Sequence, residues 1–441
     1  MANKVLKFAF IVFFSIILLE CSFDTKTGIW DDNKKIKIRD AKLVKLSKSQ
    51  NEIISEINPN LKINIDLKPI ENKDWLMAGK NYANLSSHLR LDGKLSNISK
   101  YKFEKMKNKA IKENPLILVE NYLITIDNKG TILKFAENNK IQWSKNIYNK
   151  KEKKKINNIS LALSKGILYA IDNLGKYYAL DVNTGSTVWV KQHTALFNSQ
   201  IKVINKKILA VDSNNIINCF STKNGQINWQ FKTNPSFIKT SKKLSIAINE
   251  NSLFFSNRSG DIANLDINTG ELKWFLPTEN TLVRHETNFL ETSDIVFFKK
   301  NLFFSNNFSK LFSLDTSTGI INWILGINSN LRPALINNYL FTISENGYLV
   351  VVDIIKGKTV RSNYILDKFK LKQRNELVLQ GFLIASNKVY VTTNLGYIII
   401  CSINSGEVEK LLKVGNFRLS EPYISNNKLY VLSDKSLLVF K

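Results

Sequence analysis

The stretch Asp181-Val182-Asn183-Thr184-Gly185-Ser186-Thr187-Val188-Trp189 decides the fold, because copies of it recur along the chain. The Asp, the Gly and the Trp return at the same offsets in residues 266–274 and 315–323. Weaker copies occupy residues 135–143, 221–229, 353–361 and 402–410. A repeat of this kind predicts one array of similar units, and it decides which kinds of functional site are possible.

The spacing of the repeat predicts the architecture. Eight segments have the pattern of a second strand within a unit, and consecutive starts lie 38 to 49 residues apart. These segments start at Leu123, Leu168, Leu209, Leu253, Leu302, Leu340, Val389 and Leu429. A period of ~40–50 residues is typical of a four-stranded propeller blade. We therefore predict an all-β fold, an eight-bladed β-propeller of four-stranded antiparallel blades.

Each of the three positions that recur within the repeat has a structural explanation. The Asp ends the third strand and is expected to accept hydrogen bonds from N–H groups of the next turn. The Gly follows four residues later, where a positive φ is expected. These glycines are Gly185, Gly225, Gly270, Gly319, Gly357 and Gly406. The Trp follows after four more residues and is expected to pack between neighbouring blades. These tryptophans are Trp143, Trp189, Trp229, Trp274 and Trp323, with Trp75 in an isolated segment. Catalysis would not explain so many identical carboxylates.

The two ends of the chain predict how the ring closes. The eighth unit has only its second and third strands before the chain ends at Lys441. The segment around Trp75 resembles a fourth strand that lacks its blade. Joining the two removes the open sheet edges of an unclosed array, so we predict a ring closed by the N-terminal strand around Trp75. The propeller then spans residues 61–441, and residues 81–114, 277–300 and 362–381 are long stretches between blades.

The N-terminus has the pattern of an export signal. Lys4 and Lys7 precede the apolar run Phe8–Leu19, which is too short to span a bilayer comfortably. Cys21 follows directly, and the junction resembles a bacterial lipoprotein signal, although Glu20 stands where those signals carry Gly, Ala or Ser. The resemblance implies a signal peptide over residues 1–20, a lipid on Cys21 and a tether over residues 21–60. An ordinary secretory signal and an uncleaved anchor are the alternatives.

Charge and cysteines add two expectations. The formal net charge is +26, mostly from dispersed Lys, and no nucleic-acid-binding motif accompanies it. The run Lys150–Lys155 is interpreted as a solvated loop, with contact to anionic lipid headgroups as the alternative. Cys219 and Cys401 fall on the same strand of two different units, and both are predicted to be small buried hydrophobes.

These repeats resemble the pyrroloquinoline-quinone-type propeller family over residues 115–441 plus the Trp75 segment. Together with the lipoprotein signal, they resemble the BamB family of outer-membrane assembly lipoproteins. The resemblance implies a non-enzymatic scaffold without cofactor or metal, a monomer within a complex at the periplasmic face of the outer membrane. It would bind BamA-like periplasmic domains of the barrel-assembly core protein. The implied contact residues are Phe237, Ile238, Lys239, Glu291 and Asp294.

Two other functions remain open from the sequence. A quinoprotein dehydrogenase would need calcium ligands and a carboxylate beside the quinone, and such enzymes commonly have adjacent cysteines, which this chain lacks. His88, His193 and His285 lie in separate segments, with no Cys/His ligand cluster. The third possibility is an anchored propeller that binds other envelope proteins.

Overall fold

The computed structural model describes residues 53, 55–103, 115–127, 129–234, 242–278, 291–434 and 436–441, all within the compact unit Ser49–Lys441. The predicted signal peptide, Cys21 and the greater part of the predicted tether lie outside the described residues. Within the described residues, 32 strands form eight four-stranded antiparallel sheets. The predicted eight-bladed propeller is confirmed.

The first four blades follow one another along the chain. Blade 1 comprises β2 (Ile117–Val119), β3 (Tyr122–Ile126), β4 (Ile132–Ala136) and β5 (Ile141–Lys145). Blade 2 comprises β6 (Ile159–Ser164), β7 (Ile167–Asp172), β8 (Lys176–Asp181) and β9 (Thr187–Gln192). Blade 3 comprises β10 (Lys202–Ile204), β11 (Lys207–Val211), β12 (Ile216–Ser221) and β13 (Ile227–Lys232). Blade 4 comprises β14 (Ile246–Asn249), β15 (Ser252–Ser256), β16 (Ile262–Asp266) and β17 (Leu272–Leu276).

The remaining blades complete the ring. Blade 5 comprises β18 (Val296–Phe298), β19 (Asn301–Asn306), β20 (Lys310–Asp315) and β21 (Ile321–Leu325). Blade 6 comprises β22 (Ala334–Ile336), β23 (Tyr339–Ile343), β24 (Tyr348–Asp353) and β25 (Lys358–Tyr364). Blade 7 comprises β26 (Leu379–Ala385), β27 (Lys388–Thr393), β28 (Tyr397–Ser402) and β29 (Val408–Lys413). Blade 8 comprises β30 (Pro422–Ser425), β31 (Lys428–Leu432), β32 (Ser436–Phe440) and β1 (Ile98–Lys102).

Within the described parts of the connections between blades there are two short helices. The 3₁₀ helix η1 (Glu152–Lys154) lies between blades 1 and 2, and the α-helix α1 (Leu371–Glu376) lies between blades 6 and 7. Neither has a buried residue. No helix among the described residues is both long enough and apolar enough to cross a membrane.

The antiparallel order of the strands gives the ring two different rims. The lower rim carries the first and third turns of each blade. The upper rim carries the second turn and the connection to the next blade. The repeated Asp–Gly turns, such as Asp181–Gly185, therefore lie on the lower rim, and the connections between blades begin and end on the upper rim.

The hydrophobic core lies between neighbouring blades rather than in one central cluster. Each buried cluster combines strands from adjacent sheets: Ile124 of blade 1 shares a cluster with Leu161 of blade 2, and Leu133 of blade 1 shares another with Val431 of blade 8. Cys219 on β12 and Cys401 on β28 are both buried, as predicted. Burial raises the pKa of the Cys219 thiol to about 11 and that of Cys401 to about 12.

The prediction that an N-terminal strand closes the ring is confirmed, but the prediction that this strand contains Trp75 is wrong. The fourth strand of blade 8 is β1, which pairs with β32 in the register Tyr101↔Leu437. This strand lies inside residues 81–114, which were predicted from the sequence to be a long stretch between blades. The search for a Trp chose the wrong segment because the closing strand has a Tyr instead. Tyr101 supplies the aromatic contact to the next blade, with its ring 5.7 Å from that of Phe135.

Trp75 belongs instead to an inner segment, residues 72–92, that follows the inner edges of the blades at the lower end of the channel. Its main chain forms hydrogen bonds to the first strands of several blades, including both bonds of the Trp75↔Leu118 bridge, 2.8 and 3.0 Å long. Further contacts reach blades 2, 3, 4, 5, 7 and 8 through Leu163, Val203, Ile248, Phe297, Ile384 and Asn426. The inner segment therefore occupies the lower part of the channel.

The chain contacts the ring before residue 61, where the propeller was predicted to start. Ile57 exchanges two main-chain hydrogen bonds with Ser362 on β25, the outer strand of blade 6. The Ile63 N–H donates to Asn404 O on the lower rim of blade 7. The chain thus runs from the outer edge of blade 6 along the lower rim to the axis.

Candidate functional site

The repeated Asp residues serve the turns of the lower rim. Asp181 Oδ1 accepts hydrogen bonds from the N–H groups of Asn183 and Thr184, each 2.9 Å long. The same bonds recur at Asp266, Asp315 and Asp353. The hydrogen bonds from Thr184 and Asn183 lower the pKa of Asp181. These carboxylates are engaged in turns, so they do not form a catalytic set.

Each repeated Trp contacts the Gly turn of the following blade. A Cβ at Gly225, where φ is +70°, would lie 2.9 Å from the Trp189 ring. The same neighbour relation joins Gly185, Gly270, Gly319 and Gly357 to Trp143, Trp229, Trp274 and Trp323, respectively. Trp189 Nε1 also donates to Thr222 O at 3.1 Å, and equivalent bonds leave Trp143, Trp274 and Trp323. These rings are half-buried and bind one blade to the next.

Blades 6, 7 and 8 have no Trp here, and in blades 6 and 8 other residues make the contact, a role that the sequence pattern did not predict for them. Arg361 in blade 6 donates through Nη2 to Ile403 O at 2.9 Å, and Gly406 packs against Arg361 and Asn363. Tyr101 in β1 donates through its hydroxyl to Glu137 O at 3.1 Å. A search for a planar group with an N–H or O–H donor, rather than for Trp alone, would have found them.

The upper part of the channel contains a buried charged network. Arg332 pairs with Asp294 at 3.3 Å and with Glu421 at 3.2 Å. Asp294 also accepts a hydrogen bond from Gln200 Nε2 at 2.8 Å, and Glu421 accepts one from the Tyr423 hydroxyl at 2.8 Å. These side chains come from the connections that lead into blades 3, 5, 6 and 8 or from the first strand of blade 8. The network therefore ties the inner edges of the blades together.

Lys202 joins this part of the ring to the inner segment. Its ammonium group is fully buried and donates to Ala78 O, Asn81 O and Asn84 Oδ1 at 2.6, 2.8 and 2.7 Å. Three acceptors match the three donors of a charged lysine. Burial lowers the pKa of Lys202 to about 7, while the Asp294 carboxylate acts in the opposite direction. We identify Lys202 as the main polar support of the inner segment.

A cleft of about 340 Å³ opens on the upper rim, and it is our candidate functional site. Five successive connections between blades, from 3–4 to 7–8, contribute to it. The residues that define it are Lys242, Glu291, Leu331, Val378, Leu379 and Arg418. Its surface combines apolar side chains with charges of both signs. This composition is typical of a site for another protein, in which apolar anchors are surrounded by a polar rim.

The predicted contact residues fall in three different places. Phe237, Ile238 and Lys239 lie outside the described residues. Glu291 lines the cleft, where it accepts a hydrogen bond from Asn330 Nδ2 at 2.9 Å. Asp294 lies deeper, in the buried network with Arg332. Val378 and Arg418 in the cleft were not predicted, because neither belongs to a motif in the sequence.

The two described histidines take part in structural hydrogen bonds. His88 is buried, with Nδ1 2.8 Å from Leu67 O and Nε2 accepting the Asn387 N–H at 2.9 Å. These partners define a neutral ring, and burial lowers its pKa. His193 Nε2 lies 3.1 Å from Asp212 Oδ2. His285 lies outside the described residues.

The described residues do not fit a calcium-bound quinone. No three His, Cys, Asp or Glu side chains among them form a group that could hold a metal ion. The cavity beside Trp75 and Glu421 in the channel measures about 30 Å³, room for about one water molecule. The larger cleft offers a single carboxylate, Glu291, which is already hydrogen-bonded.

The chain is similar to a known protein family in sequence and to solved structures in fold. The family model described as outer membrane protein assembly factor BamB matches residues 123–363, more than half of the chain. No curated protein sequence gives a significant match. Among solved structures, BamB from Moraxella catarrhalis has a TM-score of 0.63 at 16% identity, over 78% of this chain and 100% of that chain.

Dehydrogenases share the same fold. The quinohemoprotein alcohol dehydrogenase from Comamonas testosteroni has a TM-score of 0.61 at 13% identity, over 83% of this chain and 80% of that chain. A europium-containing methanol dehydrogenase has a TM-score of 0.59 at 13% identity, over 81% and 89% of the two chains. At such identities the likeness concerns the propeller alone.

Proposed function

Because the chain belongs to the family of the outer membrane protein assembly factor BamB, we propose that it is a non-enzymatic scaffold of the outer-membrane β-barrel assembly machinery. In this proposal it works at the periplasmic face of the outer membrane and aids the insertion of outer-membrane proteins. Its partner is the barrel-assembly core protein, through BamA-like periplasmic domains. It acts as a monomer within that complex, without a cofactor.

The observation that supports this proposal most is the cleft on the upper rim. Five connections of unequal length converge there, while the lower rim keeps the same turn in blade after blade. Val378 is 55% exposed beside the cleft, and Leu331 and Leu379 line it. Lys242, Arg418 and Glu291 surround these apolar groups. An apolar centre with charges at its edge provides both affinity and orientation for a protein partner.

The proposal includes a lipid anchor on Cys21. The described chain begins at Ile53, whose N–H donates to Gly326 O at the upper end of the outer strand of blade 5, and it continues along the outer strand of blade 6, where Ile57 pairs with Ser362. Cys21→Ser should release the protein from membranes if the lipid is its anchor. Retention of that variant in the membrane fraction would point to an uncleaved signal.

Co-purification from gently solubilised membranes tests the partner. Val378→Asp places a charge at the cleft and should reduce recovery of the core protein by about 10-fold or more. The matched control is Ile355→Asp on the lower rim of the neighbouring blade, where Ile355 is 72% exposed. This control should leave recovery within about 2-fold of the unaltered protein. Equal recovery with both variants would reject the cleft as the binding site.

The same purification separates two other functions. Enrichment of a different envelope protein, with the core protein absent, would reject a role in barrel assembly. Addition of the quinone and calcium to the pure protein, followed by dye reduction, tests the dehydrogenase. A quinone-dependent signal would overturn the scaffold proposal.

A further inference from the structure

A second surface on the upper rim is set apart by its charge. The connection between blades 1 and 2 carries five lysines within six residues. These are Lys150, Lys151, Lys153, Lys154 and Lys155, which we call the basic loop. Four of the five are exposed and Lys153 is half-exposed. The basic loop lies across the ring from the middle of the cleft.

The basic loop is held in a defined conformation. Tyr148 before it and Ile156 after it are both 4% exposed and pack in the core between blades 1 and 2. The Tyr148 hydroxyl donates to Asp172 Oδ2 at 2.6 Å. Asn149 Oδ1 accepts the N–H groups of Lys151 and Glu152 at 2.9 and 3.0 Å, where η1 begins. The lysines are therefore presented by a fixed support.

The carboxylates nearest to the basic loop are already engaged. Glu152 pairs with Lys176 at 2.7 Å and accepts the Asn149 N–H at 3.0 Å. Asp172 is buried and accepts the N–H groups of Leu174 and Lys176. Asp127 serves the equivalent turn of blade 1. The outward-facing charge of this sector of the upper rim is therefore strongly positive.

We propose that the basic loop docks the propeller on the anionic headgroups of a phospholipid membrane. The run contains no apolar or aromatic side chain that could anchor a protein partner, since Tyr148 and Ile156 point into the core. Protein interfaces are depleted in Lys at their centres, whereas clustered Lys is the pattern that binds anionic lipid surfaces. The attraction is electrostatic and needs no pocket, which suits a fixed, exposed row of ammonium groups. This contact is separate from the cleft and does not depend on the partner proposed for it.

Binding to vesicles of phosphatidylcholine, with and without phosphatidylglycerol, tests the proposal. The full chain with Cys21→Ser is used, so that no acyl chain contributes to binding. Each lysine near an anionic surface contributes about 5-fold in affinity. Replacing the five lysines of the basic loop by Gln should therefore weaken binding to the anionic vesicles by about 100-fold or more.

The control removes the same charge from the opposite rim. It carries Gln at five exposed lysines of the lower-rim turns, namely Lys165, Lys206, Lys223, Lys300 and Lys356. The affinity of this control for the anionic vesicles should stay within about 3-fold of that of the unaltered protein. Added salt should weaken the binding of the unaltered protein and of the control, because it screens the attraction. Thermal unfolding checks that both variants fold, because surface substitutions of this kind change stability little.

Three outcomes would overturn the proposal. Equal losses in the two variants would show that net charge alone attracts the protein. Equal binding with and without phosphatidylglycerol would exclude a role for anionic headgroups. Loss of a protein partner by the basic-loop variant, with vesicle binding unchanged, would assign the loop to an acidic protein surface. None of these outcomes bears on the Val378→Asp result, so failure here and failure of the scaffold proposal are distinguishable.

Discussion

The lower rim repeats one turn with one set of contacts, whereas the connections of the upper rim differ in length, charge and conformation. On the lower rim, Asp, Gly and Trp recur because each blade must meet the next in the same way. On the upper rim, the same blades are joined by the basic loop, by α1 and by the residues of the cleft. The regular rim supports the ring, which leaves the irregular rim free to bind other molecules.

The inner segment provides the strongest test of this division. Lys202→Met removes three hydrogen bonds and leaves Ala78 O, Asn81 O and Asn84 Oδ1 buried without that donor. Each unsatisfied group costs about 1–3 kcal/mol, so we expect the free energy of unfolding to fall by about 3–5 kcal/mol. Chemical denaturation measures the loss.

Lys206→Met is the matched control for Lys202→Met. Lys206 is exposed in the next turn along the chain, so its substitution should change stability by less than about 0.5 kcal/mol. If the two variants were equally stable, the inner segment would not depend on Lys202.

The contact between blades predicts the next largest effect. Trp189→Ala removes a half-buried ring that packs on Gly225 and donates to Thr222 O. Full burial would cost about 3–5 kcal/mol, so we expect about 2–3 kcal/mol for this ring. Thermal unfolding measures it, and recovery of the partner by the folded fraction should be unchanged. A loss of partner binding by the folded protein would contradict the assignment of stability to the lower rim and of partner binding to the upper rim.

Substitution by Phe separates packing from hydrogen bonding at the same contact. Trp189→Phe keeps a ring but loses the bond to Thr222 O, at a cost of about 1 kcal/mol. Trp229 Nε1 has no hydrogen-bond partner among the described residues, so Trp229→Phe should lack this part of the cost. Equal losses in the two variants would contradict a role for the indole N–H in joining blades.

The smallest effect concerns pH. Burial lowers the pKa of His88 below its ordinary value of 6.5, so the unfolded chain binds a proton more readily than the folded one. The stability associated with neutral His88 is present above pH 6.5 and is lost as the pH falls from there through the lowered pKa. Denaturation in a pH series should show this slope, and His88→Gln should reduce it. An unchanged slope would show that other groups cause it.

The repeat made the blades predictable from sequence because each one carries its own pattern. Strand alternation, the Asp turn and a Gly with positive φ are local features, so the second strands were located to within one or two residues. The closing strand was missed because Tyr101 replaces Trp there. The inner segment was missed because its partners are main-chain groups of distant strands, such as Leu118 and Ile384. The same limitation applies to the cleft, where Val378 and Arg418 meet only after folding.

The most direct test of the proposed binding rim is a cross-linking comparison in intact cells. A photoreactive amino acid is placed at Val378 beside the cleft and, separately, at Ile355 on the lower rim. Both positions are exposed and apolar, so the probe itself is equally tolerated. We predict a cross-link to the barrel-assembly core protein from Val378 and none from Ile355. A cross-link to that protein from Ile355 alone would contradict the assignment of partner binding to the upper rim.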